Sequence, residues 1–327
     1  MTRAPSSHRS WLTDVPVLAV AITWGSSYLA TKSITGPSTV LAMLLLRFLM
    51  AVAVLGLLRL RAIRRLTAAE VRGGIVIGLI LTCVFLLETY GVVHTSATNA
   101  GLIISLTMVF TPLAEAALCR TRPTGSFLMA AAGSVLGIVL LTQGSGFTPP
   151  SIGDLLMLLA ALARTANVLT THRLASIKSA DDGALTFVQL STAVICFAAL
   201  STCAGTPPLR VASALEAGQW LDLLYLGLLC TLFAFFAQLW AVRRTNPSRV
   251  SLLLGTEPLW AAVIGVALGG DQLGAPGYAG AALILLGTAW GRRAAEATGS
   301  KPEADAAAAP PVQEGSCAAA ATSAPNR

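Results

Sequence analysis

The sequence predicts an all-α integral membrane protein, with ten transmembrane helices forming two inverted five-helix repeats around a central cavity. Three observations carry that prediction. Of the 327 residues, 55% are hydrophobic and 11% charged, with a mean hydropathy of +0.73, whereas a soluble domain carries about 25% charged residues. Four stretches hold nothing ionisable at neutral pH apart from His: Arg122 to Asp154, Asp182 to Arg210, Asp222 to Arg243 and Asp271 to Arg292. Each is long enough to cross a hydrocarbon core, which takes roughly 20 apolar residues. The third observation is the sorting of the basic residues to one side of the membrane.

The apolar windows and their polar breaks place spans near 15–34, 38–59, 72–93, 98–118 and 126–143 in the first half. In the second half they fall near 151–173, 183–203, 220–241, 249–268 and 275–291. The first window runs into "AITWGSSYLATK" and offers no small-residue cleavage site, so it reads as a retained span. Short connections follow, rich in Pro and Gly: "TGPST", "RTRPTG", "GSGFTPPSIG", "TNPSR" and "GGDQLGAPG". Residues 15–143 and 151–291 are the two repeats, and 1–14 form a cytoplasmic tail. Residues 296–327 are Ala-, Pro-, Ser- and Glu-rich without apolar periodicity, which predicts a disordered cytoplasmic tail.

With the N-terminus in the cytoplasm, 18 of the 22 Lys and Arg residues fall on the cytoplasmic side and only Lys32 and Arg210 on the other. Arg47 and Arg164 lie inside spans. This is a strong positive-inside pattern. It predicts residence in the cytoplasmic (inner) membrane with both termini inside, and a missed mid-chain span would scramble it. The net charge of +7 is therefore a topology signal toward anionic lipid and calls for no nucleic-acid partner. The six cysteines (Cys83, Cys119, Cys196, Cys203, Cys230, Cys317) show no metal or disulfide spacing. No metal or other cofactor is expected.

Five spans per half force two related halves to insert upside down relative to one another. Laying residues 81–113 on 231–263 without a gap pairs Phe85 with Phe235, Glu88 with Gln238, Tyr90 with Trp240, Thr107 with Glu257 and Phe110 with Trp260. Inverted repeats recur in secondary transporters, with the substrate near mid-membrane between the halves.

The segments "ITWGSSYLATK", "LLLRFLMA", "HTSATNAGLIISLTMVFTPL", "SIGDLLMLLAALA" and "TNPSRVSLLLGTEPLWAAVIG" resemble, in this order and spacing, the ten-helix EamA-type branch of the drug/metabolite transporter superfamily. The resemblance covers residues 15 to 291. It implies two EamA repeats, cytoplasmic termini, and movement of small metabolites through a central cavity. Met108 stands where the family commonly has Pro, so a less kinked fourth span is expected. Arg164 stands where the family commonly has an aromatic residue, which argues against borrowing a relative's substrate.

Charged side chains at membrane depth are costly and normally face protein or a wet cavity. Glu257 precedes Pro258, whose ring removes a backbone donor and opens the helix as a kink. Glu257 and Trp260 share a face, as a charge and a stacking platform on a cavity wall would. Glu257 is a candidate substrate contact and coupling group, with a structural ion pair as the competing reading. Arg164 continues through Asn167 and Thr171 as a polar stripe that would favour a carboxylate or phosphate, or else an ion pair with Glu257 or Glu88. Glu88 and its counterpart Gln238 are expected on facing walls, and Trp24 and Tyr28 line the site or pack. Arg47 is expected to be a structural intramembrane charge. The pairs Gly74/Gly78, Gly133/Gly137, Gly265/Gly269 and Gly287/Gly291 predict close helix packing.

These readings predict a secondary-active transporter, an exporter by preference. It would move a small organic metabolite such as an amino acid or derivative by alternating access. Its partners are that molecule, the lipid bilayer and protons as coupling ion; no feature fixes an oligomeric state. The alternatives are a receptor or scaffold without transport, or another metabolite class such as a drug or a nucleotide-sugar-like anion. No nucleophile motif or P-loop is present, so neither an enzyme nor ATP-driven pumping is expected.

Overall fold

Helix starts are encoded as side-chain caps. In the computed structural model, which describes residues 11–118, 125–142, 151–174, 180–234, 237, 254–287 and 289–290, no strand occurs among the described residues. The first half contains α1 (Trp11–Ile34), α2 (Val40–Ile63), α3 (Ala68–His94), α4 (Ala97–Ile104), α5 (Thr107–Leu118) and α6 (Gly125–Thr142). The second contains α7 (Ile152–Arg173), α8 (Asp182–Cys203), the short α9 (Pro208–Ala214) and α10 (Ala217–Leu224), then a π-helical stretch (Tyr225–Phe233). It ends with α11 (Glu257–Ala267) and α12 (Ala275–Gly287). Thr67 with Glu70 and Ser151 with Asp154 form reciprocal capping boxes at α3 and α7. Ser96 and Asp181 accept the third backbone N–H of α4 and α8. Each of these caps satisfies amides that a helix start otherwise leaves bare.

Helices stand at all ten expected positions. Five are long and apolar enough by themselves to cross a membrane: Val40–Ile63, Ala68–His94, Ala97–Leu118, Ile152–Thr171 and Asp182–Cys203. Leu128–Gly137, Ala217–Phe233, Glu257–Ala267 and Ala275–Gly287 are shorter apolar helices, so a count of ten crossings is a proposal. The helix α1 starts at Trp11, inside the segment expected as tail. Nothing in "WLTDV" stops a helix, and Pro16 in the second turn leaves only the Leu12 carbonyl without its usual partner. Residues 1–10 and 296–327, expected as tails, lie outside the described residues.

The fourth span differs from expectation. It is broken at Ser105–Leu106, between α4 and α5, although no proline stands there. The break is stabilised locally by hydroxyls: Ser105 Oγ donates to the Leu102 carbonyl at 2.6 Å and Thr107 Oγ1 to the Ile104 carbonyl at 2.8 Å. Backbone bonds tighten to i→i−3 spacing, with Met108 N donating to Ser105 O at 2.9 Å. The ninth span turns at Gly255–Thr256, so α11 begins at Glu257 with Pro258 in its first turn. There a missing N–H costs no helical bond. The two breaks sit at the register of the ungapped overlay that pairs Thr107 with Glu257.

Packing is mostly between halves. The helix α3 runs along α7 and α8, α2 along α8, and α1 and α4 against α11. Small residues permit this. A Cβ on Gly25 would lie 2.7 Å from Trp260 Cβ, and one on Gly101 would collide with Ala261 Cβ. At Gly78, paired with Gly74 in the sequence, a Cβ would lie 2.9 Å from the Gln189 carbonyl. Between α2, α3 and α8, Phe48 meets Phe85 and Phe197 edge-on, with centroids 4.7 and 5.4 Å apart. Outward-facing positions are oily: Leu57 is 82% exposed and Leu58 71%, a surface suited to lipid and not to water.

Candidate functional site

A cavity of about 370 Å³ opens among α1, α2, α3, α7, α8, the π-helical stretch and α11, within the range of small-molecule sites. Both halves build it. Three charged groups and a phenol form one cluster on its wall. Arg164 Nη2 lies 3.2 Å from Glu88 Oε2, and Arg164 Nη1 lies 3.9 Å from Glu257 Oε1. The Tyr28 hydroxyl donates to Glu257 Oε1 at 2.7 Å. Four helices thereby meet at one point: α1, α3, α7 and α11.

Each position follows from local structure. Glu257 is the first residue of α11, where the positive end of the helix dipole favours a carboxylate. Glu88 stands one turn beyond Phe85, so the interior face that carries the ring also carries the charge. Arg164 projects from the middle of α7, the face that also bears Asn167 and Thr171. Two carboxylates share one guanidinium, so with both ionised the cluster carries one surplus negative charge. In a low-dielectric setting such a charge calls strongly for a proton or a cation.

Of the residues singled out in the sequence, Trp24, Tyr28, Glu88, Arg164, Asn167 and Glu257 all line this cavity, and so does Arg47. Trp24 Nε1 donates to the Cys230 carbonyl at 2.9 Å, tying α1 to the π-helical stretch. Asn167 Nδ2 donates to the Ile77 carbonyl at 3.1 Å, so it also bridges α7 to α3. Trp260 is not part of the lining; it packs on α1 beside Gly25. Pro258 lies behind Glu257 and is buried. Gln238 lies outside the described residues. Gln189 and the π-helical turn went unremarked in the sequence, although Gln189 is the one amide side chain between Asp182 and Arg210.

At one end of the helices, hydrogen bonds to Asp154 and Asp271 sew the halves together, and Lys32 braces the same corner from within the first repeat. Lys32 Nζ donates to the Thr95 carbonyl at 2.6 Å, and Thr95 Oγ1 donates to Asp154 Oδ1 at 2.5 Å. Asn99 Nδ2 reaches the same carboxylate oxygen at 3.3 Å, and Thr98 N donates to Asp271 Oδ2 at 2.8 Å. Asp154, which also caps α7, is thus a joint between repeats.

Comparison with known proteins agrees with this organisation. The model of the EamA-like transporter family matches twice, over residues 11–143 and 151–290. An uncharacterized transporter of Archaeoglobus fulgidus is 27% identical over 277 residues, 84% of this chain and 83% of that one. The uncharacterized transporter YcxC of Bacillus subtilis is 24% identical over 210 residues, 62% of this chain and 67% of that one. A crystal structure shares the fold with a TM-score of 0.58 at 19% identity, covering 87% of this chain and 99% of that one. The chain is an integral membrane protein and belongs to the EamA-like transporter family, with two copies of the family's unit in tandem.

Proposed function

We propose that this protein is a secondary-active exporter of a small organic metabolite, an amino acid or a derivative, working by alternating access across the cytoplasmic membrane. The ten helices cross the bilayer as two inverted repeats with both termini in the cytoplasm, as the sorting of Lys and Arg supports. The observation that carries the reading is the Arg164–Glu88–Glu257–Tyr28 cluster, held between the two halves at the wall of a cavity. A scaffold gains nothing from charges this costly to bury.

The geometry supports one accessible side. With the N-terminus inside, the lining runs from the charged cluster to Leu81, Thr171 and Gln189, toward the cytoplasmic ends of α3, α7 and α8. The joint formed by Lys32, Thr95, Asn99 and Asp154 then lies on the outer side and is closed. A cytoplasmic metabolite enters, neutralises the surplus negative charge in place of a proton, and leaves outward when the outer joint parts. Glu257 is the coupling carboxylate, faced by Tyr28 from α1, Arg164 from α7 and Glu88 beyond it on α3.

The test is transport by the purified chain in proteoliposomes loaded with a mixed metabolite extract, with an imposed pH gradient and the released solutes read by mass spectrometry. Gradient-accelerated release of a discrete set of small solutes is expected. Release no faster than from protein-free vesicles, with or without a gradient, would refute a carrier and favour a receptor or scaffold.

A further inference from the structure

The cavity has a second charged wall. Arg47 of α2 is only 8% exposed, yet it lines the cavity. Its Nε donates to Thr231 Oγ1 at 3.1 Å, and its guanidinium lies over the Phe85 ring, 5.4 Å from the centroid. Thr231 Oγ1 in turn donates to the Leu226 carbonyl five residues back, a bond made in the π-helical turn. These contacts fix the plane of the guanidinium but use only its inner nitrogen. Among the described residues the two terminal nitrogens have no hydrogen-bond partner, and no carboxylate lies within 4.0 Å of them. A guanidinium at this depth needs a counter-charge, and among the described residues none is in contact with it; Glu88, paired with Arg164, faces it only across the cavity wall.

Arg164, which from sequence could bind an anion or pair with Glu257 or Glu88, is engaged by both carboxylates. We propose that Arg47 is the anion site of the cavity. The transported molecule is then a zwitterion, with its carboxylate on the outer fork of Arg47 and its ammonium on the Glu88–Glu257 pair. The proposal rests on the carrier reading above and names the substrate class of that site.

Charge, distance and surroundings agree with this assignment. The four side chains sum to zero but are split, with one positive charge at Arg47 and one surplus negative charge at the cluster. A zwitterion neutralises both walls, an amine only one, an acid only the other. Phe85 and Glu88 are three residues apart on α3, about 4.5 Å along the helix axis. The fork over Phe85 and the Glu88 carboxylate thus arise from adjacent turns of one cavity wall, the scale of an α-amino acid's two charged ends. Leu81, Val84 and Val168 leave apolar space beside it for a side chain. Arg47 also borders a second void of about 10 Å³ with Thr31, Thr35 and Thr89, room for about one water. That void lies toward the outer ends of α1 and α2, so Arg47 stands between the cavity and the outer side.

The experiment is counterflow in proteoliposomes with three matched mixtures: the common amino acids, the amines left by their decarboxylation, and the acids left by their deamination. Wild-type protein is expected to exchange at least one amino acid about tenfold or more faster than its amine and its acid, the range for a lost charge-assisted contact. Arg47→Gln is expected to bring the amino-acid-to-amine ratio to within about threefold, and Arg47→Lys to fall between, since it keeps charge but loses the planar fork. A ratio within one preparation does not depend on how much protein folds. Equal exchange of amines and amino acids by the wild type, a ratio unmoved by Arg47→Gln, or exchange of other solutes only, overturns the zwitterion site while leaving a carrier. No exchange of any solute overturns the carrier reading itself.

Discussion

Tyr28 and Glu257 are 229 positions apart in the chain and joined by a 2.7 Å hydrogen bond from phenol to carboxylate. The bond fastens the first helix of one repeat to the broken helix of the other, beside the glycines that let those helices touch. Tyr28→Phe removes the donor and nothing else. A hydrogen bond to a charged group is worth about 1.5–3 kcal/mol, so the variant should melt earlier in detergent and show slower gradient-driven release. A variant matching wild type in both would mean the bond contributes to neither.

Glu257→Gln leaves one carboxylate to one guanidinium and removes the surplus charge. Release driven by a pH gradient should be lost, while exchange without a gradient persists at a reduced rate. The measurement is release with and without an imposed gradient in the same vesicles. Gradient-driven release at the wild-type rate would remove Glu257 from coupling and transfer the role to Glu88.

Much of this cluster was legible beforehand. Charges inside apolar runs are rare enough to be noticed, and Glu88, Arg164 and Glu257 stood out for that reason. What the sequence could not settle was who pairs with whom, because those partners come from different helices and pairing depends on rotation about each axis. Arg47 shows the consequence. An Arg in "LLRF" looks structural on its own helix, and only the arrangement of α3, α7 and α11 reveals that the carboxylates are committed elsewhere. The broken fourth span was hidden for another reason. Proline is a visible helix breaker, whereas Ser105 and Thr107 break the helix through hydroxyl bonds that also occur in unbroken helices.

Arg164→Gln should be the most damaging change in the cluster, since it leaves two buried carboxylates without their cation. Removing one partner of a buried pair costs about 3–5 kcal/mol, so little folded protein should be recovered. The double substitution of Arg164→Gln with Glu88→Gln restores part of the balance and should recover folded protein, read by fluorescence-detected size exclusion. Equal recovery of the single and double variants would show that charge balance does not govern folding here.

The glycines make a prediction with an internal control. At Gly25 an added methyl meets Trp260 Cβ at 2.7 Å and the Glu257 carbonyl at 2.9 Å, whereas at Gly133 nothing among the described residues lies within 4 Å. Gly133→Ala should leave the melting midpoint unchanged or raise it, since Ala is favoured over Gly within a helix by up to about 1 kcal/mol. Gly25→Ala should lower it and slow transport, because α11 must back away from α1 and carry Glu257 with it. Similar midpoints for the two variants would contradict the close seat of α11.

The two interrupted spans differ in permanence. Pro258 has no amide hydrogen, so the Leu254 carbonyl can never be bonded within a continuous helix, and a bend in the ninth span is permanent. At Ser105–Leu106 every amide is intact, and the carbonyls are only borrowed by neighbouring hydroxyls. There the fourth span can therefore straighten and bend again at modest cost, its own proline, Pro112, lying further along α5, while the ninth keeps a fixed bend at its break. Motion between the two end states would then be lopsided, with one half flexing against a stiffer twin.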